Sequence, residues 1–366
     1  MKTTLFWLLL MLPLLAAAQQ PFPYVISGRI GQVPAPAKIY VRHNGQVLDS
    51  AALHNGYFTL RGSSQIPKQG DLLLALDGKL ARPYIGTDYV TADYLKVFIE
   101  PTPVVLTSPD LLWHATRKGG PVNKDFAWLL EQRQALGKQM STFFLEPEEG
   151  RRQSRQSKLL DIKFIKDNPS SWVSLDLLLS QRLGPAQYDE AAPLYALLST
   201  SLKNNEPSRA YAQLLEGLKA VALGATAPDL TLPTPAGKLV AVQDHRDHYL
   251  LVEFWSSQCR ECWRELAPTE ELARKYANRR FAVLGISLDD PLHRKQWLRA
   301  IEEHNLPGAQ VSDLQGPMGS AARLYHVNRL PQNFLLDPAG RILVVNLYGD
   351  ALDAALAKYL PPFGVK

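Results

Sequence analysis

The chain of 366 residues contains two cysteines, Cys259 and Cys262, which are separated by the dipeptide Arg260-Glu261. A disulfide between them would close a very short loop, and the stabilisation that a disulfide provides grows with the length of chain it closes. Such a bond would contribute little to the stability of the fold. The spacing instead favours a reactive pair that exchanges between the dithiol and the disulfide form.

The position of Cys259 predicts a nucleophilic thiolate. It lies between an apolar run, residues 249–255, and a helical pattern, residues 261–277. The unpaired N–H groups and the positive dipole end at a helix N-terminus favour the charged form of a thiol. Cys262 follows one turn later, where we expect it to be more buried and able to attack a mixed disulfide on Cys259.

A second chemical group lies within the apolar run. Glu253 precedes Cys259 by six residues, and its neighbours in sequence are apolar. A carboxyl group held near a buried sulfur could carry protons to or from Cys262. The alternative is an ordinary polar residue on the exposed side of a strand. The apolar neighbours favour the proton-transfer role.

The pattern around the cysteines predicts an α/β domain over residues 223–366. Strands and helices alternate there, which is typical of a buried sheet covered by helices. A segment rich in proline and glycine, residues 224–237, marks the start of this domain. Pro268 falls within the helix that follows the cysteines, and we expect it to kink that helix.

The rest of the chain predicts two further parts. Short strands separated by turn residues over residues 19–107 indicate a small antiparallel sandwich or barrel at the N-terminus, of which we expect the all-β sandwich. Asn55-Gly56 is a strong hairpin signal between two of these strands. A helical period over residues 108–222 predicts a helical connector. The expected fold class is therefore multi-domain, with an all-β sandwich, a helical connector and a C-terminal α/β domain.

The first residues predict export. Lys2 precedes an apolar run, residues 5–15, that is too short to span a membrane, and Ala16-Ala17-Ala18 offers a cleavage site. We expect a signal peptide over residues 1–18, cleavage near Ala18, and a location in the periplasm or cell envelope. An uncleaved anchor is the alternative.

The charge of the chain does not favour nucleic-acid binding. The formal net charge is +5, from 40 basic and 35 acidic residues. The basic residues are scattered apart from a cluster at 151–158, and no aromatic residue interleaves that cluster. A solvated helix face is the simpler interpretation, so no nucleic-acid partner is expected.

The residues around the cysteines resemble a known family. The segment V-E-F-W-S-S-Q-C-R-E-C-W-R-E, residues 252–265, is similar to the active-site region of thioredoxin-fold proteins, above all the exported TlpA/ResA-like thiol-disulfide oxidoreductases. Leu330-Pro331 matches the place where that family carries a cis-proline. The resemblance runs from Gly224 to the C-terminus. More weakly, the N-terminal strands and the connector resemble the leading region of thioredoxin-like proteins of Bacteroidetes cell envelopes.

The resemblance implies a C-terminal thioredoxin fold and a role for each matching residue. Cys259 would attack a substrate disulfide, and Cys262 would resolve the mixed disulfide that forms. Glu253 would be the buried acid, and Glu265 would match a glutamate that the ResA-like branch places three residues after the second cysteine. Pro331 would be cis and face the dithiol. The residues expected around a bound substrate are Trp255, Gln258, Arg260, Glu261, Leu330 and Pro331.

The implied activity is reduction of protein disulfides. The implied partners are disulfide-bearing envelope proteins, apocytochrome c among them, and a membrane thiol electron donor that recycles the pair. No cofactor is implied.

Three positions depart from the family pattern. Gln258 replaces a usual tryptophan, Arg260-Glu261 lacks a usual proline, and Pro268 sits one place later than in most members. Arg260 favours a nearby thiolate by its charge, whereas Glu261 opposes it. These changes leave the dithiol mechanism intact, but the redox potential and partner recognition stay open.

Three other functions stay open from the residues themselves. His245 and His248 could join the cysteines in a zinc site, although the intervening strand would separate the two pairs by roughly 20 Å, and no metal is expected. A thioredoxin-fold peroxidase would use the hydroxyl of Ser256, although such an enzyme also requires a proline where this chain has Val252. The third alternative is a partner-binding envelope protein with a vestigial redox site.

Overall fold

The computed structural model describes residues 20–31, 33, 35–80, 93–138, 147–180 and 187–360. The chain divides into two units, residues 1–153 with 171–176 and residues 154–170 with 177–366. The predicted signal peptide lies outside the described residues, and the domain boundaries given above stay a prediction. Within the described ranges, no helix is both long enough and apolar enough to cross a membrane.

The first unit is built around two four-stranded sheets. Its strands are β1 (Phe22–Ile30), β2 (Lys38–His43), β3 (Gln46–Ala52), β4 (Tyr57–Ser64), β5 (Lys68–Ala75), β6 (Asp93–Ile99), β7 (Val104–Ser108) and β8 (Thr116–Lys118). One sheet has the order β4-β1-β7-β8 and the other has the order β3-β2-β5-β6. Neighbouring strands are antiparallel except for β1 and β7, which run parallel.

Both sheets contribute to one hydrophobic core. Ile26 and Leu60 of the first sheet belong to the same buried cluster as Ile39, Leu72 and Val97 of the second. Buried and exposed residues alternate along β7, which is typical of a strand with one face on a core. The predicted β-rich character of this region is confirmed.

The Asn55-Gly56 turn has an outcome that the sequence did not predict. Both residues have positive φ, at 52° and 80°, and His54 and Tyr57 form a β-bridge across them, as in a hairpin. The flanking strands nevertheless do not pair, because β3 pairs with β2 while β4 forms an eight-residue ladder with β1. The turn therefore carries the chain from one sheet to the other.

A buried carboxylate fixes the first helix, α1 (Pro121–Lys138), to strand β6. Glu100 is 1% exposed and accepts hydrogen bonds from the backbone N–H groups of Val122 and Asn123, each at 3.2 Å. The side-chain amide of Asn123 donates to Glu100 and to the carbonyl of Phe98. Negative charge is favourable at a helix N-terminus, so Glu100 both caps the helix and anchors it.

We predict that Glu100→Gln lowers the free energy of unfolding of the first unit by about 2 kcal/mol, because an amide NH2 would face the donors that the carboxylate now satisfies. Hydrogen exchange of the first turns of α1, followed by mass spectrometry, measures the effect. The control is Glu131→Gln, which changes an exposed glutamate on the same helix. Equal protection in both variants would contradict the anchoring role.

Helices fill most of the described residues that follow α1, as the helical period predicted. They are α2 (Pro147–Asp167), α3 (Trp172–Leu179), α4 (Tyr188–Leu197), α5 (Thr200–Lys203) and α6 (Glu206–Leu218). Asn205 caps α6, since its side-chain oxygen accepts from the N–H of Ser208 at 3.0 Å.

The second unit contains a five-stranded sheet. Its strands and helices after α6 are β9 (Thr231–Pro233), β10 (Leu239–Ala241), β11 (Tyr249–Trp255), α7 (Arg260–Tyr276), β12 (Phe281–Ser287), α8 (Arg294–Glu303), β13 (Ala309–Val311), α9 (Ser320–Leu324), β14 (Gln332–Leu336), β15 (Ile342–Val345) and α10 (Gly349–Tyr359). The sheet order is β13-β12-β11-β14-β15, while β9 and β10 pair separately. Central strand β11 is parallel to β12 and antiparallel to β14.

The two faces of β11 pack against different helices. Leu251 lies in a cluster with Leu272 of α7, and Trp255 lies in a cluster with Cys262 at the start of the same helix. On the opposite face, the ring of Phe254 lies 5.2 Å from that of Tyr325, at the end of α9. Because successive side chains of a strand alternate between faces, Glu253 points to the α7 side, between two apolar residues.

Candidate active site

Cys259 and Cys262 are joined by a disulfide at the junction of β11 and α7. Cys259 is the N-cap of α7, and its sulfur accepts a hydrogen bond from the backbone N–H of Cys262 at 3.0 Å. Cys262 is fully buried, whereas Cys259 is half-buried. The sulfur that partners can reach is therefore that of Cys259. In the reduced protein, the same N–H group would stabilise its thiolate.

A buried carboxylate holds the loop that leads into the dithiol. Asp289 follows β12 and is 2% exposed. It accepts hydrogen bonds from the hydroxyls of Ser256, Ser257 and Ser287 at 2.7–3.0 Å, and from the N–H of Ser257 at 3.0 Å. These bonds fix the two residues before Gln258, so they set where α7 begins.

Glu253 is buried, with 4% of its surface exposed, on the α7 side of the sheet. Its carboxyl Oε1 accepts a hydrogen bond from the Thr269 hydroxyl on α7 at 3.0 Å. Burial raises the pKa of Glu253 to about 8, and the bond from Thr269 acts in the opposite direction. At neutral pH the carboxyl group is therefore mostly protonated, and it can exchange a proton near pH 8.

The peptide bond between Leu330 and Pro331 is cis, as the resemblance implied. Strand β14 begins at the next residue, Gln332, which lies opposite Phe254 on β11. Leu330 packs on the cluster that contains both cysteines. The structure therefore brings Leu330, which precedes the cis bond, to the cluster of the dithiol from a distant part of the sequence.

Trp255 is buried beneath the dithiol, although the sequence placed it among the residues expected around a bound substrate. It is 1% exposed, its indole N–H donates to the side-chain oxygen of Gln310 at 3.0 Å, and its ring meets that of Trp263 edge-on at 5.5 Å. The ring of Trp263 stacks on that of His304 at 4.1 Å. This packing supports the first turn of α7 from below.

The remaining predicted site residues lie around the cysteines at the surface. Gln258, Arg260 and Glu261 are exposed. Glu265 is partly exposed, and its Oε1 lies 2.9 Å from the guanidinium of Arg264. The placement of all ten predicted residues is therefore compatible with one site, while their roles stay a prediction.

Several residues that build this site are not among those predicted from the sequence. Asp289 and Thr269 hold the loop and the buried acid, and Gln310 holds Trp255. A signal existed for Asp289, since it follows a buried strand parallel to β11 and the carboxyl ends of parallel strands meet at one edge of a sheet. No local signal marked Thr269 or Gln310.

The two histidines weighed as zinc ligands precede β11, whereas the cysteines follow it. Among the described residues, no group of three or more histidine, cysteine, aspartate or glutamate side chains is arranged to hold a metal ion.

Comparison with known proteins finds matches for two regions of the chain. The model of the AhpC/TSA family matches residues 223–345, and a domain of unknown function, DUF4369, matches residues 24–126. The thiol-disulfide oxidoreductase ResA of Geobacillus thermodenitrificans (strain NG80-2) is 30% identical over 132 residues, which cover 36% of this chain and 73% of that protein. The chain belongs to the ResA/TlpA-like thiol-disulfide oxidoreductases. The C-terminal thioredoxin-like fold and the oxidoreductase class are thereby confirmed.

Two further relatives come from other bacteria. Thioredoxin-like protein YneN of Bacillus subtilis (strain 168) is 28% identical over 120 residues, covering 32% of this chain and 68% of that protein. The solved structure of a thiol-disulfide oxidoreductase from Bacteroides fragilis NCTC 9343 is 36% identical, with a TM-score of 0.35, and the match covers 37% of this chain and 99% of that one.

We predict that Asp289→Asn lowers the free energy of unfolding by about 2–3 kcal/mol, because the amide NH2 would face hydroxyl and N–H donors in a buried place. It should also slow alkylation of reduced Cys259 by iodoacetamide severalfold, since the loop that sets the N-cap is loosened. Denaturant titration and mass spectrometry measure the two effects. The control is Asp290→Asn, because the neighbouring Asp290 is partly exposed and accepts from His293 instead. Identical alkylation rates in both variants would contradict the positioning role.

The raised pKa of Glu253 predicts a pH-dependent stability. Between the ordinary value of 4.5 and about 8, the folded protein holds a proton that the unfolded chain has lost, so the free energy of unfolding falls as the pH rises through this window. A pKa that differs by one between the folded and unfolded states changes the free energy of unfolding by about 1.4 kcal/mol. The fall across this window therefore amounts to several kcal/mol. Glu253→Gln should abolish it, as denaturant titrations of the oxidised chain across this window would measure. Glu271→Gln, an exposed change on α7, should keep it.

Proposed function

We propose that the protein is an exported reductase of protein disulfides that works through Cys259 and Cys262. The observation that carries the proposal is the half-buried Cys259 sulfur at the N-cap of α7, bonded to the fully buried Cys262. One sulfur can meet a partner, and the other can only act on the first. The exchange reaction requires an accessible sulfur for attack, Cys259, and a neighbouring sulfur for resolution, Cys262.

The reaction has two exchange steps. The Cys259 thiolate attacks one sulfur of a substrate disulfide, which forms a mixed disulfide and expels the first substrate thiolate. Cys262 then loses its proton and attacks the Cys259 sulfur, which restores the disulfide between the cysteines and expels the second substrate thiolate. A thiol donor of the membrane returns two electrons and two protons to the pair. In its carboxylate form, Glu253 would take the proton of Cys262, because it is a buried acid on the α7 side of the sheet.

Substrate recognition would use the surface around Cys259. Leu330 packs on the cluster that contains both cysteines, and its backbone would pair with an extended segment of the substrate before the cis bond to Pro331. Gln258, Arg260 and Glu261 would contact the flanking residues. The first unit, which we propose to be a β-sandwich, would supply a separate partner-binding surface in the cell envelope.

The hydroxyl of Ser256 argues for a reductase over a peroxidase. Ser256 Oγ donates to Asp289 and accepts from the N–H of Gln258. Its hydroxyl proton is therefore bonded to Asp289 and is not offered to Cys259.

We predict that Cys259→Ser abolishes reduction of insulin disulfides, because the attacking sulfur is lost. Cys262→Ser should instead accumulate mixed disulfides, because attack proceeds and resolution does not. Turbidity of insulin with dithiothreitol measures the first effect, and non-reducing electrophoresis with mass spectrometry measures the second. The two variants serve as each other's control, since both remove one buried or half-buried sulfur. Unchanged turnover in Cys259→Ser would refute the assignment.

A further inference from the structure

The outward face of the sheet β4-β1-β7-β8 has basic side chains and no acidic one. Successive side chains of a strand alternate between its two faces. Ile26 and Leu60 belong to the core, so their neighbours in sequence point outwards. Directly opposite residues of neighbouring strands share a face. The outward positions of the four strands therefore hold three cations and no aspartate or glutamate; the cations are Arg29, Arg61 and Lys118.

A depression of about 680 Å³ lies on this face. Outward residues of β1, β4 and β7 line it, and so do His54 and the end of β3. Ligand-binding pockets usually measure about 300–1,000 Å³, so the depression is large enough for a ligand of several rings. Of the three cations, Arg29 lines it, whereas Arg61 and Lys118 do not.

Arg29 has no anionic partner among the described residues. Its guanidinium carbon lies 5.5 Å from the centre of the exposed Tyr57 ring. The other sheet of the unit differs, since its outward cations Arg42 and Lys96 lie 3.9 and 2.7 Å from the carboxylate of Asp71. The charge of Arg29 is therefore available to a ligand, and the aromatic ring beside it helps to hold the guanidinium in place.

The hydroxyl groups that line the depression are also available. Ser27 and Thr59 lie opposite each other on β1 and β4, and neither hydroxyl is bonded to another described residue. Val105 is the only large aliphatic side chain among the outward residues of β1, β4 and β7 that line the depression. The lining is therefore mainly polar.

The backbone of β1 has no free edge at this place. From Ile26 to Arg29 the strand is paired with β4 on one side and with β7 on the other, whereas an extended peptide adds to a sheet at a free edge. A membrane surface would need a larger apolar face than the depression supplies. Recognition must then come from the charge of Arg29, the ring of Tyr57 and the hydroxyl groups.

We propose that this depression binds an acidic oligosaccharide, a sugar chain that carries carboxylate groups. A guanidinium group can donate two parallel hydrogen bonds to a carboxylate, so Arg29 would hold the acidic group. The hydroxyls of Ser27 and Thr59 would pair with sugar hydroxyls, since each such group both donates and accepts. The exposed part of the Tyr57 ring would pack on the C–H groups of a sugar ring. None of these residues belongs to the dithiol site, so the proposal does not depend on the proposed function.

The test is isothermal titration calorimetry of the oxidised full chain with trigalacturonate, a trisaccharide with a carboxylate on each ring. Maltotriose, a neutral trisaccharide, is the ligand control, and hexaglutamate tests an acidic peptide. We expect saturable binding of trigalacturonate that weakens as the ionic strength rises, and no binding of maltotriose at the same concentrations. Absence of trigalacturonate binding, or equal binding of maltotriose, would overturn the proposal. Hexaglutamate bound as tightly as trigalacturonate would also overturn it, because the site would then recognise charge without the sugar.

Two pairs of variants locate the site. Arg29→Gln should weaken binding of trigalacturonate at least about tenfold, because hydrogen bonds between charged groups are the strong ones. Its matched control is Arg61→Gln, since Arg61 lies on the same face but does not line the depression, and binding should stay within about twofold of the unaltered chain. Tyr57→Ser should weaken binding at least about fivefold, whereas Tyr57→Phe keeps the ring and should bind within about twofold. Equal losses in the Arg29 and Arg61 variants would indicate a general effect of charge and would contradict a site in the depression.

A measurement on the unaltered chain covers the case in which a variant does not fold. Phenylglyoxal modifies accessible arginine side chains, and mass spectrometry measures the extent of modification at each one. Trigalacturonate should slow the modification of Arg29 severalfold and leave that of Arg61 unchanged, because only Arg29 lines the depression. Equal rates at Arg29 with and without the trisaccharide would rule the proposal out.

Discussion

One hydrogen bond at the front of α7 governs the chemistry of the second unit: the backbone N–H of Cys262 on the sulfur of Cys259. The bond exists only because Cys259 has an extended backbone, with φ −89° and ψ 99°, and stands outside the helix as its cap. That conformation depends on the preceding loop, which Asp289 holds through bonds to Ser256 and Ser257. The parallel pairing of β11 with β12 places Asp289 there. The sheet thus positions the loop, and the loop positions the sulfur.

Two buried carboxyl groups in this unit are accommodated in opposite ways. Asp289 is surrounded by hydroxyl and N–H donors, which replace the water that it has lost. Glu253 is buried and accepts a hydrogen bond from the hydroxyl of Thr269, and its burial raises its pKa and keeps it protonated at neutral pH. The first arrangement suits a residue that holds structure, and the second suits a residue that exchanges a proton. Their surroundings, rather than their residue types, separate the two roles.

The sequence predicted those features of the site that local patterns encode. The bounds of β11 were predicted as observed, and α7 begins one residue earlier than predicted, because an apolar run and a helical period are visible in short windows. The Asn55-Gly56 turn was recognised, but its flanking strands belong to different sheets, since pairing is decided by partners distant in sequence. The same reason explains why Asp289, Thr269 and Gln310 were missed. Leu330 and Pro331 were found through family resemblance, not through any local pattern.

The full burial of Cys262 has a consequence for the order of events in catalysis. A molecule that takes electrons from the pair and a molecule that restores them must both form their bond with the same outer sulfur, because the inner one cannot be approached. Two such molecules cannot be attached at once, whatever their identity. The substrate and the electron donor must therefore bind in turn, each leaving before the other arrives. This is a ping-pong scheme, and steric access alone imposes it.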